Sequence, residues 1–113
     1  MPSLLSIIRD DLKAKARWCY DASGPRDVLR TLCTDGTGAM ILYRLMQWSG
    51  RRRLRPLEML FGRLNAVLCG CIIGRGAEFG PRLVLIHACG TVINGAVRGG
   101  SDIHLEHQVT IGA

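Results

Sequence analysis

The fold is decided by residues 73–113, which read IGRGAEFGPRLVLIHACGTVINGAVRGGSDIHLEHQVTIGA. Glycine is frequent here, and β-branched residues replace the Leu and Met that dominate the residues before it. A step of six residues passes through large or β-branched side chains: Ile73, Phe79, Leu85, Thr91, Val97, Ile103 and Val109. The residues four positions after each are mostly small: Ala77, Leu83, Cys89, Gly95, Ser101, His107 and Ala113.

This six-residue period is typical of a parallel β-helix, in which each hexad forms one short strand of a triangular coil. The large residue fills the interior of the coil, and the small residue allows the chain to turn the corner. Three hexads complete a coil of about eighteen residues. Two β-hairpins are the alternative, but hairpins require an alternation with a period of two, which Val92–Ile93 and Gly99–Gly100 interrupt.

The residues before position 70 have the spacing of helices instead. Apolar side chains recur every three or four residues from Leu4, and Ser3 is placed to cap the first turn. Residues 21–24 break this pattern, and Pro25 can open a second short helix as its first residue. We expect the apolar stripe of that helix to consist of Val28, Leu29, Leu32 and Cys33.

Two more helices are expected before the coils, one over residues 38–48 and one opening at Pro56. The expected apolar face of the last helix is Leu57, Leu60, Phe61, Leu64, Val67 and Leu68. The sequence therefore predicts an α+β fold. A helical part over residues 1–69 is followed by the start of a parallel β-helix over residues 70–113.

Composition narrows the classes of function. The 113 residues carry a net charge of +6 and are 48% hydrophobic, and the basic excess lies in the first half of the chain. No aromatic residues interleave with the arginines at 51–55, so we expect no nucleic-acid surface. The apolar run and arginines of Ala39–Arg55 resemble an interfacial membrane anchor, whereas no stretch reaches the roughly 18 apolar residues of a spanning helix.

Cysteines and histidines are the side chains of this sequence that could bind a transition metal. Five cysteines, an odd number, without a secretory signal indicate free thiols and a cytoplasmic protein. Cys69 and Cys71 have no second pair at zinc-site spacing, and His104 and His107 would point to opposite faces of a strand. We therefore expect no metal site. Cys89 occupies a small-residue position, which favours a packing role.

Residues 71–113 resemble the hexapeptide domain of the serine acetyltransferases. The matching pieces are Ile73-Gly74, Phe79-Gly80, Leu85-Ile86-His87-Ala88-Cys89-Gly90, Val92-Ile93 and Val109-Thr110-Ile111-Gly112. Residues 7–12 and 42–45 are similar to helices of that family's first domain. The resemblance implies a left-handed β-helix, acetyl-CoA as co-substrate, and trimers or dimers of trimers with each active site near a subunit boundary.

The resemblance also identifies His87 as the catalytic base of an O-acetyltransferase. Histidine suits this task because its unperturbed pKa, about 6.5, lies near working pH. The implied reaction is the acetylation of serine, the first step of cysteine biosynthesis. Relatives that use serine carry aspartates where this chain has Ile72 and Ile86. A sugar hydroxyl in polysaccharide biosynthesis is therefore an alternative acceptor, as residues 92–94 also suggest, and a non-catalytic scaffold is a third interpretation.

Two expectations concern what surrounds His87. Its acidic partner could come from Asp102 or Glu106 in a neighbouring coil. The sequence ends at Ala113, before the glycine-rich loop, second histidine and coenzyme A coils of the family. We therefore expect a truncated form of a longer protein, with the coenzyme A contacts beyond Ala113.

Overall fold

A computed structural model describes residues 3–112 of the chain. Four helices come first: α1 (Leu4–Tyr20), α2 (Pro25–Thr31), α3 (Thr37–Arg51) and α4 (Arg55–Cys69). Five two-residue strands follow: β1 (Ile72–Ile73), β2 (Val84–Leu85), β3 (Val92–Ile93), β4 (His104–Leu105) and β5 (Thr110–Ile111). The predicted α+β fold, helices followed by the start of a left-handed parallel β-helix, is confirmed. Met1, Pro2 and Ala113, at the ends of the two predicted domains, lie outside the described residues.

The helices begin and end at the residues whose chemistry favours a cap. The Ser3 hydroxyl accepts a hydrogen bond from the Ser6 amide at 3.1 Å, which confirms the predicted cap of α1. Pro25 and Pro56 lie in the first turns of α2 and α4. Helix α3 is longer than the predicted 38–48, because residues 49–51 continue its hydrogen bonding instead of forming a connector.

The strands stack in parallel as successive coils. Strand β3 pairs with β1 and with β5 in one three-stranded sheet, and β2 pairs with β4 in another. Ile73 pairs with Ile93, 20 residues along the chain, whereas Ile93 pairs with Ile111, 18 residues along. The second coil therefore consists of three six-residue steps, and the first contains two additional residues.

The additional residues lie in the loop between β2 and β3. The step from Glu78 to Val84 is six residues, but the step from Val84 to Val92 is eight. The unbroken six-residue row predicted from Ile73 to Val109 is therefore wrong beyond Leu85. The row still falls on inward residues, because inward positions occur in pairs two residues apart, as at Thr91 and Ile93, both of which are buried.

One hydrophobic core joins the helices to the coils. Its helical members come from α3, and its coil members come from the first coil and from Ile93 at the start of the second. The buried residues are Ala39, Met40, Tyr43, Met46, Cys71, Ile73, Ala77, Phe79, Leu83, Leu85, Ala88 and Ile93. The apolar side of α3 is used in this core, so these side chains are not free for the membrane-surface attachment that Ala39–Arg55 suggested. None of the helices within residues 3–112 is long and apolar enough to cross a bilayer.

Two predicted apolar stripes do not pack as expected. In α2 the fully buried residue is Thr31, while Leu29 and Leu32 are exposed. In α4 four of the six predicted apolar residues are exposed: Leu57, Leu60, Val67 and Leu68. Helix α4 instead packs on α3 through a side that contains Asn65, whose amide donates to the Ala39 carbonyl at 3.2 Å. An apolar face of α4 is consequently left at the surface.

Buried polar groups fasten the helices to the first coil. The Arg44 guanidinium binds both carboxylate oxygens of Asp11, at 2.6 and 3.1 Å, and donates to the carbonyls of Phe79 and Gly80. Asp11 also accepts from the Leu83 amide at 2.9 Å. Such a pair is tolerated in a core because its remaining hydrogen-bonding capacity is also satisfied.

Candidate active site

His87 lies on the eight-residue step, which places it outside the regular coil. Ala88, the next residue, is buried and anchors the loop, while the His87 side chain is 50% exposed. The loop is held at its flanks by backbone hydrogen bonds, from the Ile86 amide to the Leu105 carbonyl and from the Gly90 amide to the Gly70 carbonyl. The two additional residues therefore make the His87 imidazole project from a coil that is held by backbone hydrogen bonds.

An acidic side chain approaches this imidazole from the helical part. Asp35 lies in the turn between α2 and α3, and its Oδ2 is 3.5 Å from the Nδ1 of His87. The partners expected from the sequence do not occupy this place. Asp102 binds Arg82 at 3.0 Å, and this hydrogen bond lowers the pKa of the Asp102 carboxyl. Glu106 is exposed, and its backbone carbonyl accepts from Thr91.

Hydrogen bonds from buried side chains hold the backbone of the turn that contains Asp35. The buried Lys15 ammonium donates to the Asp35 carbonyl and, at 3.0 Å, to the Thr37 hydroxyl. Desolvation by burial lowers the pKa of Lys15 to about 8. The Thr37 hydroxyl in turn donates to the Thr31 carbonyl at 2.8 Å. These bonds fix the backbone that presents the carboxylate.

Gly36 allows the turn to lie directly on strand β2. Its φ is +83°, and a Cβ at this position would lie 2.2 Å from the Leu85 carbonyl oxygen. Only glycine fits this combination of left-handed backbone and close approach. Leu85 is two residues before His87, so the contact brings the acidic turn to the base of the histidine loop.

His87 and Asp35 face an open cleft of about 480 Å³ between the helices and the coils. Its walls also include Leu68 of α4, Cys89 of the histidine loop and His107 of the next coil. The His107 ring lies edge-on to the His87 ring, with 5.9 Å between ring centres. The cleft therefore combines two imidazoles and a carboxylate with an apolar wall.

The other sequence candidates are separated by the structure. His104 lies away from the cleft and packs against the Trp18 ring, 5.2 Å between ring centres, whereas His107 faces His87. Cys89 is exposed and lines the cleft, so the packing role expected for it is wrong. Ile72 is exposed on β1, and Ile86 is partly buried. Neither of the isoleucines supplies the carboxylate that its position implied.

Asp35 is the residue that sequence reasoning missed. Its pattern, Asp35-Gly36 before a helix, is that of many ordinary turns. The one available signal was the glycine, which is needed here for a left-handed backbone in close contact with a strand. The contact itself depends on how α1 and α3 pack on β2, which local spacing does not encode.

The fold can be compared with known proteins. No family model matches the chain. Serine acetyltransferase of Mycobacterium tuberculosis is 30% identical over 109 residues, which are 96% of this chain and 47% of that protein. The soybean serine acetyltransferase apoenzyme superposes with a TM-score of 0.80 at 26% identity and covers 100% of this chain and 48% of its own. The same soybean enzyme complexed with serine has a TM-score of 0.78 at 24% identity, again covering 100% and 48%.

Helices packed on hexapeptide coils, with a histidine on a widened corner, define the fold class as a left-handed β-helix of hexapeptide repeats behind a helical part. The matches extend over nearly the whole chain in both sequence and fold. The chain is similar to serine acetyltransferases over nearly its whole length, as the resemblance predicted. It spans about half the length of the curated relatives it matches.

Proposed function

We propose that this chain carries the acceptor-activating part of an acetyl-CoA-dependent O-acetyltransferase. The observation that supports the proposal most directly is the position of His87, raised by two additional residues over an open cleft on an otherwise regular coil. A scaffold alone would not require this break in the repeat. The similarity to serine acetyltransferases supports the same reaction class.

In the proposed reaction His87 acts as the general base. An alcohol is a poor nucleophile while it holds its proton, so the imidazole removes the hydroxyl proton as the oxygen attacks the acetyl carbonyl. The C–S bond then breaks, and the imidazolium returns the proton to the coenzyme A thiolate. The products are the O-acetyl ester and free coenzyme A, and the histidine is regenerated. Holding both substrates in one cleft adds the advantage of proximity.

Serine is the acceptor that the similarity to serine acetyltransferases favours. Isoleucines at positions 72 and 86, where the resemblance implies aspartates, favour the second candidate, a sugar hydroxyl. A serine ammonium group needs a compensating negative charge when it leaves water, whereas a sugar does not. Asp35 is the acidic side chain on the cleft wall. Serine would be preferred over a sugar if Asp35 bound its ammonium group.

Assembly into trimers is part of the proposal. Such an assembly would bury the exposed apolar side chains of α4 between subunits, together with the outward Ile72 and Val92 of the coil. A single chain contains both His87 and its cleft, so every subunit of such an assembly would carry the base.

The division of the chain into a helical part over residues 1–69 and a coil part over residues 70–113 remains a prediction.

The test is thiol release from acetyl-CoA by the protein from the complete reading frame, measured first with L-serine and then with nucleotide sugars. We expect His87→Ala to reduce kcat by roughly 100-fold or more, because general base catalysis contributes about 10²–10⁴-fold. His104→Ala is the matched control, since that histidine lies outside the cleft. Unchanged thiol release in His87→Ala would remove the catalytic assignment.

A further inference from the structure

We propose that Asp35 is the positioning residue of His87, so that the helical part of the chain, and not the coil, completes the acid–base pair. The inference rests on the proposed function, in which His87 is the base. Its starting observation is the 3.5 Å approach of Asp35 Oδ2 to His87 Nδ1 across two parts of the fold. The resemblance implies coil aspartates at positions 72 and 86, and this chain has isoleucine at both.

The geometry assigns a defined task to this carboxylate. A neutral imidazole carries its proton on one of two nitrogens, and the other nitrogen is the base. Asp35 faces Nδ1 and can accept its hydrogen, which leaves the lone pair on Nε2 for the acceptor hydroxyl. When Nε2 gains that proton, the carboxylate also stabilises the imidazolium without becoming protonated itself. The proton therefore passes only between Nε2, the acceptor and the leaving thiolate.

The turn that carries Asp35 is held in place independently of His87. Lys15 binds the backbone carbonyl of Asp35 itself, and Gly36 rests on the Leu85 carbonyl of the strand that leads to the histidine. The Asp35 side chain is 84% exposed and makes no competing ion pair within residues 3–112. A solvated side chain on a rigid backbone adjusts to its partner at little cost.

Neighbouring groups do not offer an equivalent acceptor. His107 approaches the His87 ring edge-on from the next coil, with 5.9 Å between ring centres, and Cys89 lines the same wall. Asp102 is engaged by Arg82. Among the described residues around the imidazole, Asp35 is therefore the carboxylate within reach.

The kinetic test uses Asp35→Ala, Asp35→Glu and the control Asp27→Ala, whose aspartate lies on α2 beside Arg30 and does not line the cleft. We expect Asp35→Ala to lower kcat by about 10- to 100-fold with little change in the KM for acetyl-CoA. This loss is smaller than the roughly 10⁴-fold of a buried triad carboxylate, because water screens an exposed one. Asp35→Glu should recover part of kcat, and Asp35→Ala should add no further loss to His87→Ala.

The second test needs no turnover. Nitrogen-15 NMR of the His87 ring measures how the neutral imidazole divides between its two tautomers. We expect the form protonated on Nδ1 to dominate in the wild type and in Asp27→Ala, and to fall at least severalfold in Asp35→Ala. An unchanged tautomer ratio in Asp35→Ala would overturn the inference. An altered ratio in a protein whose thiol release does not depend on His87 would support the positioning role and remove the proposed function instead.

Discussion

Lys15 shows how much a single buried side chain can influence the site. It is almost completely buried, and its ammonium supports the carbonyl of Asp35 from inside the helical part. Desolvation lowers its pKa from the usual 10.5 to about 8, while Cys19 and Asp35 act in the opposite direction. The charge that fastens the acidic turn is therefore costly to bury at neutral pH.

This cost predicts a particular dependence of stability on pH. Below pH 8 Lys15 is charged in both the folded and the unfolded chain, and burial of its ammonium lowers the free energy of unfolding by the full amount. Between pH 8 and 10.5 the unfolded chain binds more protons at Lys15 than the folded chain does. Stability contributed by this site therefore rises with pH over that window, by about 3 kcal/mol. Urea unfolding of the wild type and Lys15→Met at several pH values within the window measures the difference.

Other buried groups act in the same range and must cancel in the comparison. Burial raises the pKa of the Cys71 thiol to about 11 and that of the Tyr43 hydroxyl to about 12. Both stabilise the fold below their usual pKa values and lose this contribution as pH rises through the raised ones. They are present in wild type and Lys15→Met alike. Parallel pH dependence in the two proteins would contradict the prediction for Lys15.

At the scale of elements, the turn between α2 and α3 depends on Gly36. Alanine there would combine a left-handed φ with a Cβ 2.2 Å from the Leu85 carbonyl oxygen. We expect Gly36→Ala to destabilise the protein by about 2 kcal/mol or more, since strain of this kind costs roughly 1–3 kcal/mol before the clash is added.

Gly38, two residues along the same segment, is the matched control for that prediction. It lies in the first turn of α3, and a Cβ there would meet its nearest atom, the Cys69 sulfur, at 3.8 Å. Gly38→Ala should be neutral or stabilising by up to about 1 kcal/mol, because alanine favours helix. Equal melting temperatures for the two variants would show that the turn does not rest on β2 as described.

The elements also show what the sequence could and could not predict. Local signals were sufficient for the capping Ser3, the helix-opening Pro25 and the coil architecture, because each depends on neighbours in the chain. The sequence does not reveal the eight-residue step, because at Thr91 a row with period six shifts from one inward position to the neighbouring one and its members still face the interior. The sequence does not predict which face of α4 is exposed, since apolar residues of the helix itself occupy much of its circumference.

At the scale of the whole molecule, one buried ion pair joins the two parts of the chain. The side chains of Arg44 and Asp11 are 0% and 2% exposed, and both bind backbone groups of the first coil. Removing one charge of a buried pair leaves the other uncompensated, at a cost of about 3–5 kcal/mol. We therefore expect Asp11→Asn to lose a large part of a stability that is typically about 5–15 kcal/mol.

The control is Asp10→Asn, the neighbouring acid that lies outside the pair, and it should stay within about 0.5 kcal/mol of wild type. Helical circular dichroism and hydrogen exchange of the buried Ile93 amide should report the same loss in Asp11→Asn, because helices and coils share a core. Exchange at Ile93 that stayed slow while the helices melted would show that the coil is stable without them.

The widened corner of the first coil has a consequence for how such a scaffold can diversify. Ile93 stacks over Ile73, and Ile111 over Ile93, although the chain between the first two is longer. The two additional residues are thus accommodated at one corner of the coil, while the strands before and after it keep their parallel pairing. A vertex of this kind can exchange its loop for one of different size or chemistry, and the rest of the spiral would not need to be redesigned.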